Sequence, residues 1–242
     1  MSSLRTVQLN KKTRVSIVPA APNIDLDSDL YAINWFDLRR PWLYDLYNKL
    51  AFPHVKKVGG QVHFKGLVKE KIKGPKEFDR EMLLIVKYPN AKGFLQMLQD
   101  KIFLMKSILR LNAVQYFTFG FCKRMDNGPA PLKFPKAFNG NRSYLLHHFQ
   151  SNISASEYLY KIAPIIDNTS GIKLYFSGFK AALIGTERSG NKLKTQPFIM
   201  DGLILIEGED DAQLTNFTHN EDFKQLATDL NSFNNYIFER IV

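Results

Sequence analysis

Apolar and polar residues alternate through "YAINWFDL" (31–38), the period of a half-buried strand. The period then changes. Pro41 suits the first turn of a helix, and Leu43, Leu46, Tyr47 and Leu50 recur at helical spacing as one apolar stripe. Pro53 is expected to end or kink this helix ahead of Gly59 and Gly60. "QVHFKGLV" returns to strand pattern, and "EMLLIVKY" is apolar enough throughout to be a central third strand. "NAKGFLQMLQDKIFLMKSILRL" predicts one long helix, with Phe94, Leu95, Leu98 and Phe103 among its apolar positions, and "AVQYFTFGF" predicts a fourth strand. The order is βαββαβ. It recurs as "YLLHHF", a helix around "ASEYLYKIA", "IKLYFSGF", "GLILIEG", a helix over "EDFKQLATDLNSF", and "NYIFERI".

The two halves can be laid over one another. "KKVGGQVHFKG" (56–66) matches "NTSGIKLYFSG" (168–178), so that Gly59 and Gly66 meet Gly171 and Gly178 at an offset of 112. Tyr31 and Phe36 meet Tyr144 and Phe149 at 113, and Phe78, Leu83, Phe103 and Tyr116 meet Phe198, Leu203, Phe223 and Tyr236 at 120. The step from 112 to 120 is one insertion of about eight residues, and it falls in "IGTERSGNKLKTQP", which reads as a loop. One large insertion at a loop points to internal duplication.

A four-stranded sheet with both helices on one face must bury its other face. Two such units in one chain achieve this by packing sheet against sheet. The predicted fold is therefore α+β: two tandem ferredoxin-like βαββαβ units, 31–124 and 143–242, forming an intrachain pseudo-dimeric α/β barrel. Residues 1–30 read as an N-terminal extension and 125–142, rich in proline and glycine, as a linker.

Composition changes little in this picture. With 45% apolar and 23% charged residues the chain reads as a soluble, cytoplasmic, bacterial-type protein, without a signal peptide or transmembrane helix. A single cysteine, Cys122, excludes an internal disulfide or a cysteine metal cage and reads as a buried thiol. The net charge of +10 is uneven: residues 1–124 hold 22 Lys/Arg against 10 Asp/Glu, and residues 125–242 hold 11 against 13. Five lysines between Lys65 and Lys76 read as a solvated hairpin face or, alternatively, as a surface for nucleic acid or an acidic partner.

The pre-glycine helix with Pro53, "KKVGGQVHFKG", "LLIVKYPNAKGFLQML" and the Phe103-to-Arg110 spacing resemble the dimeric α/β-barrel superfamily, and within it a bacterial family of small ferredoxin-like proteins of unknown function. The resemblance covers roughly residues 31–121. It implies a fold and a cavity, among relatives that include cofactor-independent monooxygenases, isomerase- and cyclase-like enzymes and haem-binding decomposers of chlorite. It also marks Arg110 as a polar position, which the second half replaces with Leu230.

Candidate chemistry is sparse. His147 and His148 are neighbours on one strand and so point to opposite faces. With His63 they are the candidate catalytic acids or bases; Asn34, Trp35 and Arg110 are the candidate ligand-binding residues. His54 and His219 are expected to be exposed. No metal-ligand spacing, nucleophile elbow or phosphate loop occurs, and no cofactor is expected. Haem would need a helical histidine in an apolar stretch, which is not seen. RNA binding is disfavoured because the third strands lack the base-stacking aromatics. The expected partner is a small apolar or aromatic molecule, in a cofactor-independent monooxygenase- or isomerase-like enzyme or in a non-catalytic binding or interaction module. A homodimer is compatible with this reading, and no membrane partner is expected.

Overall fold

The computed structural model describes residues 27–76, 79–124, 142–189, 192–197 and 201–241. Most of the extension and linker read from the sequence, together with Phe78 and Phe198, lies outside the described residues. The first half supplies β1 (Leu30–Leu38), α1 (Pro41–Lys57), β2 (Gln61–Lys73), β3 (Met82–Tyr88), α2 (Ala91–Gln99), α3 (Lys101–Ala113) and β4 (Val114–Arg124). The second supplies β5 (Ser143–Ser151), α4 (Ala155–Asp167), β6 (Lys173–Ser189), β7 (Lys192–Pro197), β8 (Gly202–Gly208), α5 (Asp211–Thr218), α6 (Glu221–Leu226), a short 3₁₀ turn and β9 (Leu230–Arg240).

The sheet order is β4-β1-β3-β2-β9-β5-β8-β6-β7, and β4 also pairs with β6. Eight strands thus close into an antiparallel barrel, and β7 lies outside it as the partner of β6 alone. Closure satisfies every strand edge inside the barrel. It uses two seams between the halves, β2 against β9 and β4 against β6. Gly66 sits opposite Arg240 in the first seam and Gly178 opposite Arg124 in the second. A Cβ at Gly66 would lie 2.8 Å from the Phe64 ring, and one at Gly178 would lie 2.9 Å from the Phe176 ring. Each glycine thus lets an aromatic two residues earlier lie flat along the seam. Gly59 and Gly171, seven residues before them, take φ of 76° and 77° where helix turns into strand, a conformation that costs glycine least.

Strand alternation divides the apolar residues into three cores. Tyr31, Ile33, Trp35, Phe64, Tyr144, Tyr175, Phe176, Tyr236 and Phe238 fill the barrel interior. The opposite faces of the two sheets pack separately against α1–α3 and against α4–α6.

The structure corrects several local expectations. The long helix breaks at Asp100, whose carboxylate accepts from the amides of Ile102 and Phe103 and caps α3. Pro53 does not end α1, which runs four residues further and stops where the Gly60 amide reaches the Val55 carbonyl. Burial of Tyr47 and Ala51 on the preceding turns holds the helix through the proline. Only Leu43 and Tyr47 of the proposed α1 stripe are buried; Leu46 and Leu50 face outward. In the polar "IGTERSGNKLKTQP", residues 184–189 and 192–197 are not loop but the paired strands β6 and β7. In the last strand of each half the equivalence is also shifted: Tyr236 opposes Leu146 as Gly120 opposes Ile33, so Tyr116 is not its counterpart. Tyr116 instead sits at φ 47° in a bulge of β4.

The barrel interior predicts a mutational signature. Phe238 is fully buried against Trp35 and Phe64, with ring centroids 5.6 and 6.0 Å away. Phe238→Ala should lower unfolding stability by about 3–5 kcal/mol, read as the shift of the urea midpoint. A loss under 1 kcal/mol would mean that the interior is loosely packed.

Candidate functional site

On the first half, the face of the sheet turned to the helices does not close completely against them. A cavity of about 940 Å³ remains, floored by Ala32, Asn34, Phe36, Leu84, Val86, Phe117 and Phe119 and roofed by side chains of α1, α2 and α3. The alternation of β1 explains the floor. Ala32, Asn34 and Phe36 point to the helices while Tyr31, Ile33 and Trp35 point into the barrel. Its polar lining residues are Asn34, Asn48, Tyr44, Tyr47, Tyr88 and Ser107, with the cations Lys49, Lys56, Lys65 and Arg110.

Asn34 lies on the floor and donates to the Leu84 carbonyl at 3.3 Å. In register, its counterpart is His147: Asn34 opposes Leu84, and His147 opposes Ile204. The two positions have opposite effects on volume. His147 fills its half by bonding Asn235 Oδ1 at 2.6 Å and the Tyr158 hydroxyl at 2.9 Å, with Phe223 5.3 Å away. Asn34, a shorter side chain held down on the sheet, leaves the space above it open.

Arg110 reaches the cavity from the last turn of α3. Its guanidinium lies 4.6 Å from the Phe117 ring and 5.9 Å from the Tyr47 ring, in cation–π range. Its Nε is buried and has no hydrogen-bond partner among the described residues. A buried cationic donor without an acceptor is costly, and an anionic oxygen in the cavity would satisfy it. Burial holds the Tyr44 and Tyr88 hydroxyls above the ordinary tyrosine value, so both remain neutral donors. Sequence reasoning missed Tyr44, Tyr88 and Lys65. Tyr88 read as the end of an apolar strand and Lys65 as one of a solvated run.

Of the six candidates named from sequence, Asn34 and Arg110 share this cavity. Trp35, His63 and His148 lie in the barrel interior, among Tyr31, Tyr175, Phe176 and Tyr236. His147 lies on the helix side of the second half. The three histidines therefore do not meet Arg110. Burial pulls all of their pKa values down: His147 to about 4, His63 to about 3 with Arg124, Lys87 and Arg240 adding repulsion, and His148 well below its ordinary value. Each is neutral and weakly basic at pH 7. His54, expected to be exposed, is instead half-buried, 3.0 Å from Asp100 and 2.9 Å from Lys106. Cys122 is buried, and its thiol is pushed up to about 12.

The residues around the cavity do not fit haem. Among the described residues no histidine or cysteine lines it, and burial disfavours the tyrosinate form of Tyr44 and Tyr88. Among the described residues no three His, Cys, Asp or Glu side chains are grouped to hold a metal ion. No helix among them is long and apolar enough to cross a membrane.

The histidine environments set a pH dependence. His147 has a folded pKa of about 4 against an ordinary 6.5, so the unfolded chain binds its proton more readily between those values. Its contribution is complete above pH 6.5 and is lost as pH falls toward 4, at up to about 1.4 kcal/mol per pH unit. Urea unfolding of His147→Gln should show lower stability at pH 7 but a shallower decline on acidification than the parent. Parallel declines in the two proteins would show that His147 is not the titrating group.

No protein-family model matches the chain, and no curated protein matches it. Solved structures do. A protein from Fusobacterium nucleatum, provisionally described as a monooxygenase, aligns over 90% of this chain and 94% of its own with a TM-score of 0.53 at 10% identity. An anthrone oxidase-like protein aligns over 89% and 92%, again with a TM-score of 0.53 at 10% identity. A chlorite dismutase variant from Candidatus Nitrospira defluvii aligns over 88% and 91%, with a TM-score of 0.50 at 9% identity. At these identities the likeness is one of fold, and it agrees with the closed eight-strand barrel and its outer helices. The chain shares with these proteins the dimeric α/β-barrel (ferredoxin-like) fold.

Proposed function

We propose that this protein binds a small apolar or aromatic compound bearing one anionic oxygen, in the cavity between the first-half sheet and α1–α3. The observation that carries this reading is the buried, unpartnered Nε of Arg110 at the wall of a large apolar cavity. Aromatic floor residues would hold the body of the ligand, Arg110 its oxyanion, and the Tyr44, Tyr88 and Asn34 groups its orientation. His63, His147 and His148 act in this reading as parts of the packed cores, and Trp35 as an interior anchor.

A catalytic version is favoured by the same arginine. A guanidinium in apolar surroundings lowers the pKa of a bound phenol or enol. The resulting anion is the electron-rich form needed for a cofactor-independent monooxygenase-like reaction with O₂, or for an isomerase-like proton shift. The names of two fold neighbours, a provisional monooxygenase and an anthrone oxidase-like protein, agree with the first. The alternative is a binding module without turnover.

We also infer that the halves are tandem copies of one ferredoxin-like unit, 31–124 and 143–242, joined through 125–142. Supporting this are the shared strand order, the matched positive-φ glycines and the matched seam glycines. Because one chain closes the barrel, a homodimer would form through surfaces other than its seams.

Titration with naphthoate and with uncharged naphthalene tests the binding site. Arg110→Met should weaken naphthoate roughly ten- to hundredfold and change naphthalene less than about twofold. Ala51→Phe should abolish binding of both by filling the cavity. Equal binding of naphthoate to the parent and Arg110→Met would overturn the role of Arg110. Oxygen uptake with anthrone then separates the two versions: an oxidase consumes one O₂ per anthrone, placing one oxygen atom in the quinone and the other in water. Naphthoate binding without uptake would favour the binding module.

A further inference from the structure

Outside the cavity, the exposed apolar surface is distributed unevenly. Apart from Tyr116, Tyr160 and Ile241, every large apolar side chain exposed among the described residues lies on α1 or α3. Trp42, Leu46 and Leu50 recur every four residues along α1, and Ile102, Met105 and Ile108 every three along α3. The exposures are not marginal: 67% for Trp42, 69% for Met105 and 57% for Ile108. The helices lie side by side and antiparallel. The amides before α1 bond the Ala113 carbonyl at the end of α3, and His54 near the end of α1 meets Asp100 at the start of α3. Their outward stripes therefore form one continuous patch.

The charge on these helices is one-sided. Lys49, Lys56, Lys57, Lys101, Lys106 and Arg110 stand against Asp45, with Arg39 and Arg40 directly before α1 and Asp100 directly before α3. The helices of the second half, α4–α6, carry Glu157, Asp167, Asp211, Glu221 and Asp222 against Lys161 and Lys224, with Tyr160 as their single exposed large apolar side chain among the described residues. Apolar anchors flanked by cations match the surface of an anionic lipid bilayer, where the apolar side chains enter the acyl boundary and the lysines meet the headgroups. The same charge opposes pairing of the patch with its own copy. The cavity wall also reaches the surface beside the patch, at exposed Phe52, Lys56 and Leu111.

We propose that the α1–α3 face docks on anionic membranes, with Trp42, Leu46, Ile102, Met105 and Ile108 inserted and the flanking lysines on the headgroups. Docking itself is independent of the cavity's ligand. Taken with the reading of the cavity above, it places the entrance where an apolar compound partitions.

Flotation of the full chain with vesicles of phosphatidylcholine, alone or mixed with phosphatidylglycerol, tests the proposal. Binding is expected only with phosphatidylglycerol present and should fall with added salt. Trp42 emission should shift to the blue on binding while Trp35, inside the barrel, stays constant. Trp42→Ser with Met105→Ser should abolish flotation. Lys57→Gln and Lys101→Gln should each weaken it about fivefold. Melting temperatures and naphthoate affinity should be unchanged in all of these variants, since none of the four side chains lines the cavity. Absence of flotation with the phosphatidylglycerol-containing vesicles, or flotation that survives the Trp42 and Met105 substitutions, would overturn the proposal. So would a concentration-dependent dimer abolished by those same substitutions without vesicle binding, which would assign the patch to self-association.

Discussion

Closure of the sheet is the constraint on which the rest of this structure depends. Each half leaves two strand edges and one sheet face uncovered, and the seams β2–β9 and β4–β6 satisfy both at once. The interior so formed is filled by interlocking aromatic rings, among them Tyr31 against Phe176 at 4.9 Å and Trp35 against Tyr236 at 5.3 Å. A packed interior has two consequences. It fixes His63 and His148 as neutral groups within a ring cluster. It also leaves the outer faces, under the helices, as the place where the halves can differ without reopening the barrel.

They differ at one register position. Where the second half has His147, tied to Asn235 and Tyr158, the first has Asn34, tied only to backbone carbonyls. The larger group completes a core; the smaller one leaves volume. No arginine stands on the helices of the second half, and Leu230, aligned with Arg110 by sequence, opens β9. Among the described residues the large cavity and Arg110 thus coincide on the first half, while the second half keeps a smaller pocket of about 220 Å³ beside Phe223, Phe233 and Asn235, with Lys73 and Lys224 at its wall.

Much of the architecture was legible from periodicity. The strands, the placing of His147 and His148 on opposite faces, and the spacing of Gly59–Gly66 and Gly171–Gly178 all follow from local stereochemistry that sequence expresses directly. What was not legible depended on tertiary context. Asp100 looks like an ordinary polar helix residue until its carboxylate is seen capping α3, and Pro53 is tolerated because neighbouring turns are buried. Leu46 and Leu50 continue an apolar stripe in sequence but stay exposed in the fold. The cavity could not be read at all, since empty volume is a mismatch between side chains distant in sequence. Asn34 and Arg110 were named, with Trp35, as ligand-binding candidates. Their meeting, and the separation of both from the three histidines, required the fold.

The account's central claim is that the first-half cavity, and not the barrel interior, receives a ligand. A crystal structure of the protein soaked with naphthoate tests it most directly. The claim predicts density above Asn34, with the carboxylate within hydrogen-bond distance of Arg110 and the barrel interior unchanged. Density beside His63 or His148, or against His147 in the second half, would contradict it.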